Sequence, residues 1–376
     1  MKRRTFIRTG AAGLAFGGLA GCAGDGGGED TTTTTEDTTT TTTTDTTTTT
    51  ATQPSGTLRI ATYDSFVGEG AAGTWLKGQF ESAYPEVTVT FDTPSKGLNE
   101  FIQRTRQGAP IDADLYVGLN TGELVTIDKK LDSSLFAQSR SALSHAASVK
   151  DRLRIDPDGR AIPYDTGYIT LVYNADALES PPATFDDLLA DQYEGDLITE
   201  NAQQSDPGRA FLLWTIINKG ADGYLDYWRT LVDNGVTVLE DWEPAYNAYM
   251  NGEAPMVVSY STDQVYYHGE GVNMAKHQVG FLNDQGYANP EAMAAFADSD
   301  NLDTARAFMD FVLRPEIQAG VAERNVQFPA VTGVDMPTSF SKYAYEPPEP
   351  VTFTYKELSG NVETWIDDWA QVVVSG

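Results

Sequence analysis

The chain has 376 residues, 40% of them hydrophobic, with 54 Asp and Glu against 25 Lys and Arg, a formal net charge of -29. That length and apolar content supply one large or two ordinary domains with real cores. So acidic a chain argues against nucleic acid and anionic membrane surfaces as partners, which would repel it, and it suits a halophilic source, where salt screens the self-repulsion.

Arg3 and Arg4, followed by Thr5, Phe6 and Ile7, form a twin-arginine pair, and residues 10–20 make a small-residue apolar stretch too short to span a bilayer. The stretch closes on Leu19-Ala20-Gly21-Cys22, which resembles the lipobox of exported lipoproteins. Residues 1–21 are therefore expected to be a twin-arginine signal peptide, with Cys22 taking the lipid; a two-chain lipid holds stably where one acyl chain would not. Cys22 is the only cysteine, so no intramolecular disulfide can form. Residues 22–56 are glycine and threonine runs broken by Asp and Glu. Such a segment cannot bury a core and is expected to be a disordered tether between membrane and folded part.

From Thr57 the pattern becomes alternating strand and helix. Residues 58–61 read as a strand, 73–84 as an amphipathic helix with Trp75, Leu76 and Phe80 on one face, and 87–91 as a second strand, which is a βαβ unit. Residues 98–107 read as a helix and 114–118 as a strand. Residues 152–162 look like irregular connection before a strand at 168–173. Thr184, with Asp186 and Asp187 behind it, has the form of an N-cap and first helical turn. A strand at 197–200 precedes Ser205-Asp206-Pro207-Gly208, a good cap with Pro in the first turn, and a helix over 209–219. A helix over 224–234, a strand at 236–239 and a helix over 243–251 lead to the strand at 257–260. Helices over 302–313, 315–324 and 362–374 complete the chain.

Three apolar runs end in the same chemistry: Tyr63-Asp64-Ser65, Tyr164-Asp165-Thr166, and Tyr260-Ser261-Thr262-Asp263 with Tyr266 and Tyr267 behind. Turns also favour such residues, but three ends of one character point to a single cleft, and open parallel sheets bind ligands beyond the carboxyl ends of their strands. The expected fold is α/β, two-lobed, with crossings near Asp165-Thr166 and again near residues 266–271. Lobe 1 then takes residues 57–165 and about 270–322, and lobe 2 residues 166–269 and about 323–376. Hinge closure on a small ligand is the motion this permits.

The ordered set Ala61-Thr62-Tyr63-Asp64-Ser65-Phe66, Pro163-Tyr164-Asp165-Thr166-Gly167-Tyr168, Val172-Tyr173-Asn174, Ser205-Asp206-Pro207-Gly208, Asp241-Trp242-Glu243-Pro244-Ala245-Tyr246 and Val258-Ser259-Tyr260-Ser261-Thr262 resembles the substrate-binding components of ABC importers, most closely the thiamine-binding branch of the cluster that also holds ferric-iron binders. The resemblance implies a type II periplasmic-binding-protein fold, capture of thiamine outside the cell, delivery to a permease with its ATPase, no cofactor, and a monomer. It places ligand contacts on Lys96 and Gly97, Ser205 and Asp206, Trp242, and Tyr260, Ser261, Thr262 and Asp263. Tyr63, Asp64, Ser65, Asp165, Tyr246 and Tyr266 complete the cleft. The chemistry agrees: a permanently positive thiazolium and a flat aminopyrimidine stack on tyrosine and tryptophan, with cation–π contacts of about 0.5–2 kcal/mol each. Asp64 or Asp165 then supplies the opposing charge.

This chain departs from the branch where Lys96 replaces an acid, Ser205-Asp206 a Ser/Thr pair, and Gly70 and Val326 two aromatics. Asp206 and Asp263 at the ligand's hydroxyethyl end would favour unphosphorylated thiamine over its phosphates. The alternative is ferric iron held by Tyr266 and Tyr267, since phenolates are hard donors, or another small cation. Against iron, the first strand end offers no His, and the chain has only His145, His268 and His277. No catalytic cysteine, metal-type His cluster or Gly-x-Ser-x-Gly elbow supports an enzyme.

Overall fold

The computed structural model describes residues 53–375; the expected signal peptide, Cys22 and the tether up to Thr52 lie outside them. Strand β1 (Gly56–Ala61) buries Leu58 and Ile60, and helix α1 (Ala72–Ala83) lays Leu76 and Phe80 on the sheet before β2 (Val87–Asp92) pairs parallel with β1. Helix α2 (Leu98–Arg106) leads to β3 (Leu115–Leu119), which joins β1 on its other side. Helix α3 (Thr121–Lys130) starts on a capping box between Asn120 and Glu123, which satisfies two end donors at once. Then comes β4 (Ala161–Tyr173), thirteen residues long.

A second parallel group follows. Strand β5 (Leu197–Glu200) runs into α4 (Asp206–Lys219), then α5 (Tyr224–Asp233), β6 (Thr237–Leu239), α6 (Trp242–Asn251) and β7 (Met256–Tyr260). The one-turn helix α7 (Asp263–Tyr266) and strands β8 (Gln278–Gly280) and β9 (Gln285–Ala295) come next. The chain closes with α8 (Leu302–Val312), α9 (Pro315–Asn325), β10 (Phe328–Pro329), α10 (Thr338–Ser341), β11 (Glu349–Val351), α11 (Tyr355–Leu358) and α12 (Val362–Ser375).

The strand order is β2-β1-β3-β9-β4-β7-β5-β6. Pairs β1–β2, β1–β3, β5–β6 and β5–β7 are parallel, while β3–β9, β9–β4 and β4–β7 are antiparallel. Two βα groups therefore hang on one long antiparallel pair, β4 and β9. Each group has its own apolar core: Leu58, Phe80, Val89 and Phe308 on one side, and Trp214, Leu231, Val258 and Trp369 on the other. On the second side the Trp228 and Trp369 rings meet edge to face at 5.4 Å, a contact of about 0.5–1.5 kcal/mol beyond the area it buries.

Several expectations are corrected. The helix expected after Thr184 is a single 3-10 turn at Asp187–Leu189, because the Asp187 carboxylate accepts from the Ala183 and Thr184 amides and closes a local ring. Strand β4 begins at Ala161, inside the stretch read as connection. Helix α3 and strand β9 had no counterpart in the sequence reading. Strand β8 pairs with β4 at Leu171–Tyr173, and the chain then runs along β9, which pairs with both β4 and β3.

Candidate functional site

The carboxyl end of β1 delivers Tyr63 to the middle of the β4–β9 pair. Its hydroxyl donates to Glu291 Oε2 at 2.8 Å and lies 3.3 Å from Asn325 Oδ1 and 3.4 Å from the Tyr164 hydroxyl. Tyr164 donates to the same Glu291 oxygen at 2.8 Å, and Asn325 Nδ2 donates to Asp165 Oδ2 at 2.6 Å. Asp165 and Glu291 are cross-strand partners, both buried. Burial, with the charges of Asp165 and Glu291, pushes the Tyr164 hydroxyl well above its ordinary pKa, so it stays a neutral donor. Tyr63 reaches this spot because Gly118, with φ +101°, has no side chain: a Cβ there would stand 2.5 Å from the Tyr63 ring.

On the opposite group, the ends of β5 and β7 meet the starts of α4, α6 and α7. Trp242 donates its indole N–H to Ser259 Oγ at 3.0 Å and stacks on Tyr246 at 4.9 Å and 25°. Tyr246 stacks in turn on Tyr267 at 5.7 Å, and Tyr267 on His277 at 4.3 Å, both at 13°. Beneath the stack the Tyr246 hydroxyl donates to Asp263 Oδ1 at 2.5 Å, and His277 Nδ1 lies 2.8 Å from Asp263 Oδ2. Burial, reinforced by the Asp263 charge, raises the Tyr246 pKa far out of range, so it remains a phenol. Asp263, expected on the ligand, thus has both carboxylate oxygens engaged inside the protein. Tyr246 is buried with it.

The remaining expected residues divide by exposure. Tyr260 is buried over Gly167, where a Cβ would stand 2.5 Å from its ring, and Ser261 and Thr262 are buried beside it. Tyr266 is exposed at 37%. Ser205 is buried as the N-cap residue of α4, and Asp206, next to it, accepts from Asn120 Nδ2 at 3.3 Å and faces Arg209 at 3.6 Å. Asp64 and Lys96 are exposed, Ser65 and Gly97 half-buried. Gly97 takes φ +51° at the start of α2.

A cavity of about 470 Å³ is lined by Tyr63, Asp64, Lys96 and Gly97, and by α3, Gln203, Arg209 and the start of α12. It takes in four expected residues from the β1 group and none from the aromatic stack. Tyr63 belongs to both the cavity wall and the β4–β9 network.

Unpartnered polar groups mark the rest of the cleft. Thr199 Oγ1, both carboxylate oxygens of Glu200, Ser205 Oγ, Ser261 Oγ, Thr262 Oγ1 and Gln327 Oε1 are buried without a hydrogen-bond partner among the described residues. Native proteins rarely leave such groups unsatisfied, and these lie where β5 and β7 end and β10 begins. Burial above all holds the Glu200 carboxyl well above the usual carboxylate range; its own backbone amide opposes this and the Asp241 charge adds to it. Sequence reasoning missed Glu200, Glu291, Asn325, Gln327 and His277. Glu200 alone carried a signal, as an acid closing a recognised strand.

The match to known proteins agrees with this layout. The model of the bacterial extracellular solute-binding protein family matches residues 75–346. The thiamine-binding periplasmic protein of Escherichia coli (strain K12) is 28% identical over 316 residues, covering 84% of this chain and 93% of its own. That of Brucella suis biovar 1 (strain 1330) is 26% identical over 325 residues, 85% of this chain and 92% of its own. Among solved structures, a periplasmic thiamin binding protein superposes with a TM-score of 0.72 at 26% identity over 85% of this chain and 96% of that one. A ferric binding protein from Campylobacter jejuni shares the fold at a TM-score of 0.67 and 18% identity, over 84% of this chain and 99% of that one. The fold is the two-lobed one of periplasmic binding proteins, with the β4–β9 pair between the lobes. The chain belongs to the bacterial extracellular solute-binding protein family.

Proposed function

We propose that this protein captures thiamine outside the cell and hands it to an ABC permease. The observation that carries the reading is the set of half-buried Trp242, exposed Tyr266 and buried Ser205, Ser261 and Thr262 hydroxyls without a hydrogen-bond partner among the described residues, following β5, β6 and β7, together with the Tyr63–Asp165–Glu291 network of the β4–β9 pair. Aromatic faces suit a flat cationic ligand, and buried hydroxyls suit its polar edge. The thiamine-binding names of the relatives support the same ligand. Within this reading Trp242, Tyr260 and Tyr266 stack on the rings, Ser205, Ser261 and Thr262 bond their edges, and Asp165 with Glu291 balances the charge. Asp64, Ser65, Lys96, Gly97 and Asp206 form the rim, Tyr246 and Asp263 hold Trp242, and unphosphorylated thiamine is preferred.

The protein acts without chemistry on its ligand, as a monomer. It is exported by the twin-arginine route and anchored through lipid on Cys22, in a salt-rich medium to which its acidic surface is adapted. No helix among the described residues is long and apolar enough to cross a membrane. The test is mass spectrometry of the small molecule that co-purifies with the protein, followed by calorimetric titration with thiamine and its phosphates. Absence of thiamine binding, or tighter binding of the diphosphate, overturns the corresponding part. Iron is disfavoured because Tyr267 is used in packing between Tyr246 and His277. A visible phenolate-to-iron charge-transfer band on adding ferric ion would reverse that.

A further inference from the structure

Glu200 closes β5 with no accessible surface, and neither carboxylate oxygen has a hydrogen-bond partner among the described residues. It is fixed on every side. Leu239 of β6 is its register partner, and α4 packs so closely that a Cβ on Gly208 would stand 2.4 Å from the Glu200 carbonyl oxygen and 3.0 Å from its Cβ. Strand β7 pairs Val257 with Ile198, so two residues on Glu200 lies level with Ser259, the residue that holds the Trp242 indole. The charged groups on the packed elements are Asp206, Arg209 and Lys219 of α4, Glu240 and Asp241 before α6, and Glu243 within it; Lys219 is paired with Asp186. Arg209 is turned to Asp206, and no cation forms an ion pair with Glu200 among the described residues. Burial first, and the like charge of Asp241 with it, disfavour the ionised form, against the opposing pull of the residue's own backbone amide.

We propose that Glu200 is a second counter-charge, beside the Asp165–Glu291 pair, that the cleft withholds until a cation arrives. A permanently cationic ring seated at Trp242 favours the ionised acid; the O–H bond of Glu200 breaks, its proton leaves to solvent, and the carboxylate balances the ligand. This rests on the reading of the cleft as a thiamine site. It explains why an acid is retained at a fully buried strand end where an isosteric amide or apolar residue would cost less to bury. It also separates cationic from neutral ligands of the same shape, since only the former gain from ionising it.

The experiment is calorimetric titration of the full chain with thiamine in two buffers of different ionisation enthalpy, repeated between about pH 6 and 8. The expected result is net proton release on binding, with affinity rising with pH by up to about tenfold per unit. Glu200→Gln should bind about tenfold more weakly and lose the release. His277, paired with Asp263 at the far end of the aromatic stack, provides the control variant. Release that survives in His277→Gln and vanishes in Glu200→Gln supports the proposal. Binding without proton release, or the same release from Glu200→Gln, overturns it. If Glu200→Gln does not fold, the wild-type and His277→Gln proton counts decide. If thiamine gives no binding at all, the reading of the cleft fails and this inference falls with it.

Discussion

Asp263 separates two accounts of the cleft, and replacing it distinguishes them. Its two oxygens hold Tyr246 at 2.5 Å and His277 at 2.8 Å, and all three residues are at most 5% exposed. Removing the carboxylate in Asp263→Ala deletes two hydrogen bonds to a charged acceptor, each about 1.5–3 kcal/mol, and strands a phenol and an imidazole in the core. Allowing for relaxation, the loss should be about 3–5 kcal/mol. Asp263→Asn keeps the shape and an acceptor for Tyr246, so it should cost about 1–2 kcal/mol. Because Trp242 stacks on Tyr246, thiamine affinity should fall with stability across the two variants, and Asn should recover most of both. Urea unfolding beside thiamine calorimetry measures this. If Asp263→Ala unfolds within about 1 kcal/mol of wild type and yet abolishes binding, Asp263 touches the ligand and the positioning account is wrong.

Arg160 bridges half-buried Asp128 at 2.8 Å and buried Asp156 at 3.0 Å and is 9% exposed, so Arg160→Met should lose about 3–5 kcal/mol, chiefly by leaving Asp156 uncompensated. Burial tends to raise the Asp156 pKa, but Arg160 and the Ala161 amide outweigh it and hold the carboxyl below its ordinary value. Its contribution is therefore full above about pH 4 and is lost as pH falls through the depressed value, so the gap between wild type and variant should narrow in acid unfolding curves. Gly167→Ala would put a Cβ 2.5 Å from the Tyr260 ring and 2.6 Å from Gln327 Oε1, which should cost about 1–3 kcal/mol in thermal unfolding and weaken thiamine binding. With a formal net charge of -29, the melting temperature should rise between low and molar salt; a flat response would refute the salt-adapted reading.

What the sequence made legible follows the range of the forces involved. Strands β1, β5 and β7 and helices α1, α4 and α6 announce themselves through local periodicity and caps, and Tyr63, Trp242 and Tyr260 were readable because they sit where those patterns stop. Strand β9 was not readable. Its Gln285–Ala295 sequence holds Pro290 and four alanines, poor strand formers, and it is extended because β3 and β4 flank it. Glu291 was hidden with it. Asp263 was rightly picked out as polar, but its role depends on Tyr246 and His277, which packing alone brings to it.

The β4–β9 pair carries a further consequence of that hidden strand. Asp165 and Glu291 face each other across it, buried, and like charges directly opposite on a sheet oppose folding. The hydroxyls of Tyr63 and Tyr164 donate to Glu291 and the amide of Asn325 donates to Asp165, which offsets part of that cost. A cation entering the cleft would relieve it, so stability given up in the empty protein returns as affinity. Glu291→Gln tests this directly: the amide oxygen still accepts from both tyrosines, and its NH₂ can donate to Asp165. The variant should be more stable than wild type by about 1 kcal/mol without ligand, and should bind thiamine about tenfold more weakly. Thermal unfolding with and without thiamine reads both quantities. A variant that loses stability and keeps its affinity would show that the acid pair is structural and takes no part in cation capture.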